Sequence, residues 1–285
     1  MFNNSPSLVI GDPVPIRQWV LLAIGLVIAS FYLFPVYWML VSALKTADEV
    51  NAAIPSMFPK EPTLNAFRWI FERENVGRYL ANSFFIAGTT TLLTLLLSTG
   101  AAYTLSRIRS KWMDAILIFV MLTQVLPPPL LVTPMFVIFR QLDLVNTYTA
   151  VILATTSKTL PFAIIMLRTT FAQIPVEIEE AARVDGCSRL IAFIKITMPL
   201  ARVGYIVVGS LVFLLAYGEF VYPVSLMNKQ SLQPATVGLF GFVGADYSDW
   251  GNAMAFASVM VLPVLIIFVA LQKHIVSGLT SGALK

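Results

Sequence analysis

Two ionisable residues sit in stretches that otherwise read as hydrocarbon-spanning. Lys158 lies near the middle of the apolar run 147–171, and Glu219 lies in the run 203–227. A charge at such depth costs at least ~2.5 kcal/mol on insertion scales. Lys158 is therefore expected to face the interior or a cavity, with Glu219, at comparable depth, as its partner. Two chemistries fit this pair. It can be an ion pair that ties two helices together. Alternatively, Lys158 can line a path and favour an anionic or hydroxyl-rich solute. The run 112–139 adds Gln124, Pro127, Pro128, Pro129 and Pro134. Each proline removes a backbone donor, and unwound backbone at membrane depth is tolerated only where protein buries it or water lines it. The cluster predicts a helix break beside a translocation path, or a kink that serves packing alone.

Catalytic groups are scarce. The single histidine, His274, has no second histidine near it, so metal binding is not expected, and no Ser, His and acid arrangement can be assembled. The chain contains no Gly-Lys dipeptide and hence no phosphate-binding loop. If ATP drives this protein, another subunit must bind it. Cys187 is the single cysteine, which rules out an intrachain disulfide. The net charge of +4 comes without basic blocks interleaved with aromatics, so no nucleic-acid partner is expected.

These residues need membrane helices to position them. Of 285 residues, 58% are hydrophobic and 12% charged, which places the chain among integral membrane proteins. Six apolar runs of twenty or more residues, about 17–44, 79–106, 112–139, 147–171, 203–227 and 251–271, are each long enough to cross about 30 Å of hydrocarbon as helix. The short alternating segments of a barrel are absent. The expected fold is all-α and polytopic: one membrane domain over 1–285, with a polar tail at 1–16, a mixed-charge loop at 45–78, an exposed loop at 228–250 and a tail at 272–285. With six spans, both termini share a side. The side holding the termini, the 107–111 loop and the 168–202 region carries eleven Lys and Arg against seven opposite, and five of those seven lie in the long 45–78 loop. The positive-inside rule weights short loops, so both termini are expected in the cytoplasm.

The longest charged stretch of the second half, Ile174 to Pro199, has its own grammar. Pro175 suits the first position of a helix. Glu177, Glu179 and Glu180 fall where the positive end of that helix favours them. Ile178, Ala181, Ala182 and Asp185 share a face by three- and four-residue spacing. Gly186 is placed to stop the helix in a left-handed cap. An amphipathic segment with Leu190, Ile191, Phe193, Ile194 and Ile196 follows, and Pro199 is expected to end it.

Glu180-Ala181-Ala182, Gly186, nine residues, Ile196, two residues and Pro199 together resemble the "EAA" loop of ABC-importer permeases; Met198 replaces the family's usual Leu. The resemblance extends from the first run to the C-terminus, towards the smaller permease of maltose-type importers in the carbohydrate branch. Leu142 to Tyr148, Leu160-Pro161-Phe162, Met166-Leu167-Arg168 and Asp249-Trp250-Gly251 carry it. So does Ala216-Tyr217-Gly218-Glu219-Phe220, where Tyr-Gly stands in place of a common Trp-Asn. The resemblance implies a cytoplasmic helix-turn-helix over 174–199, between spans four and five, that docks on an ATPase through Glu179, Glu180, Ala181, Ala182, Asp185, Gly186, Ile196 and Pro199. It implies a C-terminal tail, with Ser277, Gly278, Leu279, Thr280, Ser281 and Gly282, that reaches the ATPase dimer. It also implies a second, different permease, an extracytoplasmic solute-binding protein met by the 228–250 loop, and ATP with magnesium on the ATPase rather than on this chain. Gln124, Pro127, Pro128, Lys158, Tyr217 and Glu219 are the candidate path residues. A stand-alone, ion-coupled secondary transporter that uses Lys158 and Glu219 is the alternative.

Overall fold

The computed structural model describes residues 16–243 and 249–280. Fourteen α-helices account for most of them. A long apolar helix, α1 (Ile16–Ala43), leads through α2 (Ala47–Val50) and α3 (Asn65–Glu72) to α4 (Val76–Arg107). Then come α5 (Lys111–Thr123), α6 (Pro128–Gln141) and α7 (Tyr148–Ala172). The polar stretch forms α8 (Val176–Val184), α9 (Arg189–Ala192), a π-helical turn (Phe193–Thr197) and α10 (Met198–Leu200). The remainder is α11 (Arg202–Tyr217), α12 (Val221–Leu226), a 3-10 turn (Gln230–Leu232), α13 (Ala235–Phe240) and α14 (Trp250–Thr280).

Among the described residues, α1, α4, α7 and the Trp250–Ala270 part of α14 are long and apolar enough to cross a membrane. Two further runs are broken. α5 and α6 meet at 96°, and the α9–α10 segment meets α11 at 72°. The first break sits at the proline cluster, but the prolines themselves divide. Pro127 lies outside helix, whereas Pro128 and Pro129 begin α6. A missing N–H is harmless in the first turn of a helix. The run expected at 203–227 is also two helices. α11 stops at Tyr217, so Glu219 lies in the connection to α12 rather than inside a span. Pro199 does not end its segment either. It stands in the first turn of α10, and the chain bends at Ala201.

The core is the pairing of α4 with α7, against which α11 packs. Small and hydroxyl-bearing residues line it. Ala87, Thr90, Thr94, Ser98 and Ala102 of α4, and Ala150, Ala154, Thr155, Thr159 and Ala163 of α7, are buried. Such residues let helix backbones approach closely without a hydrophobic drive from lipid. Thr94 and Thr159 bond hydroxyl to hydroxyl at 2.9 Å across the pair. α1 rests on α14 but leaves most of its surface bare; Phe31 is 77% exposed.

The described part of the 228–250 loop is pinned to the first turns of α4. Asn82 Nδ2 donates to Ser231 O at 3.0 Å and to Gln233 O at 2.9 Å, and Ser83 Oγ accepts from Ala235 N at 2.8 Å. Phe242 is buried here, whereas Phe240 is exposed. α13 sits so close to α4 that a Cβ on Gly238 would stand 2.9 Å from two ring carbons of Tyr79 and 3.1 Å from Phe256. Both rings are buried and cannot retreat. Gly238→Val is therefore expected to cost about 1–3 kcal/mol by overpacking and to lower the thermal midpoint of the purified protein. Gly88→Ala, with open space at its Cβ, should stay within about 0.5 kcal/mol of wild type.

Candidate functional site

The polar stretch folds as its sequence pattern dictates. α8 starts at Val176 with Pro175 capping it, one residue later than expected. Its end is a Schellman turn. Gly186 takes φ +90°, its N–H donates to Arg183 O at 3.1 Å, and the Cys187 N–H donates to Ala182 O at 3.0 Å. Ser188 then caps α9, its Oγ accepting from Ile191 N at 3.3 Å.

The two faces of α8 differ sharply. Glu177, Ile178, Glu180, Ala181, Val184, Asp185 and Gly186 are exposed. Val184 at 88% and Leu190 at 66% leave bare apolar surface on either side of the turn. Ile196 is half-buried and Pro199 exposed. Ala182 and Glu179 point the other way and are buried. Of the two alanines and Glu179, all expected to face an approaching partner, Ala181 alone is exposed. Successive helical residues are about 100° apart, so Glu179 and Glu180 cannot share a face.

Glu179 fastens the loop to the body of the protein. Its Oε1 accepts from Arg107 Nη2 at 2.6 Å, Arg107 Nε at 3.0 Å and Thr197 Oγ1 at 2.9 Å; its Oε2 accepts from Tyr103 Oη at 2.6 Å. Arg107 Nη1 also donates to Phe171 O at 3.0 Å, which ties in the end of α7. One carboxylate thus joins α4, α7, α8 and the π-helical turn. Burial pushes its pKa up, but bonds from Arg107, Tyr103 and Thr197 outweigh that, and the carboxyl is held below the usual carboxylate range. None of these three partners was legible as such in the sequence, where Arg107 reads only as one cation of a basic loop.

The second group of sequence-predicted residues converges at the α5–α6 break. Gln124, Pro128 and Lys158 line a cavity of about 310 Å³ together with Ser157, Pro161 and Tyr222. Lys158 Nζ donates to Glu219 Oε2 at 2.5 Å, as the pairing of the two charges predicts. Glu219 Oε1 accepts from Val221 N at 2.9 Å and Tyr222 N at 3.4 Å, satisfying the first turn of α12. Pro127 caps α6 beside the cavity. Tyr217 is engaged elsewhere: buried among Phe84 and Phe213, it donates to Met260 O of α14 at 3.0 Å. Of the candidate tail, Ser277, Gly278, Leu279 and Thr280 continue α14. Ser281 and Gly282 lie outside the described residues.

Residues 94–281 match the family model described as binding-protein-dependent transport system inner membrane component. The chain belongs to that family. It is accordingly a membrane permease of the inner membrane. Among its relatives, the sulfoquinovosyl glycerol transport system permease protein SmoH of Agrobacterium fabrum is 37% identical over 89% of this chain and 89% of that protein. The trehalose/maltose transport system permease protein MalG of Thermococcus litoralis is 34% identical over 93% of this chain and 96% of that one. A chain of a bacterial ABC transporter that imports the acidic polysaccharide alginate shares the fold, with TM-score 0.76 and 20% identity over 92% of this chain and 99% of that chain.

The Glu179 latch makes two predictions. Glu179→Gln or Arg107→Met strands a mostly buried charge, which costs on the order of 3 kcal/mol. The thermal midpoint of the purified permease should fall accordingly, while Arg109→Met, at an exposed site, should leave it almost unchanged. The lowered carboxyl gives the sign of the pH effect. Its stabilisation is complete above the unfolded value of about 4.3 and is lost as pH falls through the lower folded value. Wild-type midpoints should therefore not drop between pH 7 and 5 on account of this group.

Proposed function

We propose that this permease is the non-catalytic transmembrane subunit of an ATP-driven, binding-protein-dependent importer, and that it moves a sugar or sugar derivative by alternating access. The observation that carries this reading is the loop 174–199. Its outer face is exposed and partly apolar, while its inner face is locked to α4 and α7 through Glu179. A surface so built can receive force from a partner and pass it to the main helix pair. The solute class rests on relatives named for sulfoquinovosyl glycerol and for trehalose and maltose.

In this reading α5 with α6 makes one crossing and α11 with α12 another, so the single domain 1–285 has six spans with both termini and the 174–199 loop in the cytoplasm. Glu180, Ala181, Asp185 and Gly186 meet an ATPase dimer, which carries the ATP and magnesium. The tail 272–285, including Ser277 to Gly282, reaches the same dimer. A second, different permease completes the pathway, and the 228–250 loop meets the solute-binding protein outside. Gln124, Pro127, Pro128, Lys158 and Glu219 flank the path, and Tyr217 braces it. A stand-alone secondary transporter accounts for the Lys158–Glu219 pair but leaves the coupling loop without a role.

The test is a pull-down from native membranes with an N-terminal tag, wild type against Gly186→Pro. Proline fixes φ near −65° and has no N–H, so it cannot adopt the +90° of Gly186 or make its bond to Arg183. An ATPase should copurify with wild type and be lost, or reduced at least about ten-fold, in the variant. Wild type that comes down alone and still moves solute along an ion gradient would overturn the proposal.

A further inference from the structure

The Lys158–Glu219 pair is not symmetrical. Glu219 is hidden, its side chain 2% exposed, and both its oxygens are committed to Lys158 and to the backbone of α12. The Lys158 side chain is 36% exposed and lines the cavity at the α5–α6 break. An ammonium has three N–H donors, and Glu219 takes one. A pair that served packing alone would gain nothing from leaving its cation half open. Here the carboxylate holds the ammonium in place from behind, and the cavity meets the remaining donors.

The other lining groups offer both donors and lone pairs. The Ser157 hydroxyl spends its proton on Ala154 O at 2.7 Å. Gln124 brings an amide, and Tyr222 is wholly buried with a hydroxyl that has no hydrogen-bond partner among the described residues. Pro128, Leu131, Met135 and Pro161 supply apolar wall. At about 310 Å³ the cavity falls at the lower end of the range for small-molecule sites. A site with a donor-rich charged point and apolar walls recognises an acceptor group on an otherwise compact solute.

We propose that this cavity is a solute subsite on this permease itself, and that Lys158 selects a saccharide carrying an anionic oxygen group, a carboxylate or a sulfonate. The subsite rests on the importer reading above. Glu219 is a positioning residue: it orients the ammonium and offsets its insertion cost, and it does not touch solute.

The probes are methyl glucuronide and methyl glucoside, which differ in the anionic group. Their binding to the detergent-purified permease–ATPase complex, free of binding protein, is compared by saturation-transfer NMR. Wild type should favour the glucuronide about ten-fold, the scale of one hydrogen bond to a charged group. Lys158→Arg should keep that preference. Lys158→Met combined with Glu219→Gln, which leaves no stranded carboxylate, should abolish it. Equal or absent binding of both probes by wild type overturns the subsite without recourse to any variant, and so does a preference that survives the double change. Copurification of the ATPase with the tagged permease is scored before any binding is measured, so a failure of the importer reading is told apart from a failure of the subsite.

Discussion

A helix that breaks among apolar neighbours leaves backbone donors and acceptors with no water to satisfy them. Everything around the cavity follows from how this chain meets that constraint. At the α11–α12 break, Glu219 supplies an acceptor to the N–H groups of Val221 and Tyr222. Its carbonyl takes the Thr236 hydroxyl at 2.8 Å, which draws α13 in. A carboxylate buried for this purpose needs a cation, and Lys158 of α7 provides it at 2.5 Å. At the α5–α6 break the solution is different. Prolines begin the second helix, so fewer donors exist to be satisfied. The cavity lies where these two breaks come together.

The far end of the same helix pair solves a related problem. α8 and its neighbours have little core of their own. Tyr103, Phe171, Phe193 and Tyr205 form an aromatic cluster there, and the Arg107–Glu179 pair closes over its edge. α4 and α7 therefore carry a buried ion pair at one end and a second, cavity-facing pair along their length. Their mutual packing through small and hydroxyl residues makes them one stiff unit.

Much of this was legible in the sequence, and the reasons are local. The Gly186 turn, the proline break and the pairing of two intramembrane charges each follow from one residue type in a constrained setting. What was not legible depends on which face turns inward. Glu179 and Glu180 are chemically identical neighbours, and their helix alone gives no reason to bury one and expose the other. The answer lies in Arg107, 72 residues earlier in the chain. Tyr217 likewise sits in the right motif and at the right depth, but the α14 carbonyl of Met260 claims its hydroxyl. The break after Tyr217 was hidden because apolar residues continue through it, and hydropathy does not register a change of direction.

The two ion pairs use the same chemistry and differ in what they leave open. In the Arg107–Glu179 pair the side chains are 11% and 10% exposed, and every carboxylate oxygen is satisfied from within the chain. Such a pair can hold but cannot receive. In the Lys158–Glu219 pair the anion is closed at 2% and the cation open at 36%. Insertion cost explains why the acid is present, because a lone ammonium among apolar helices would be expensive. It does not explain why the lysine is present at all, since removing both charges would remove the cost entirely, and buried pairs are often replaceable by apolar residues without loss of stability. The half-open cation is accordingly the feature that stability does not require, and it is the one that faces the cavity.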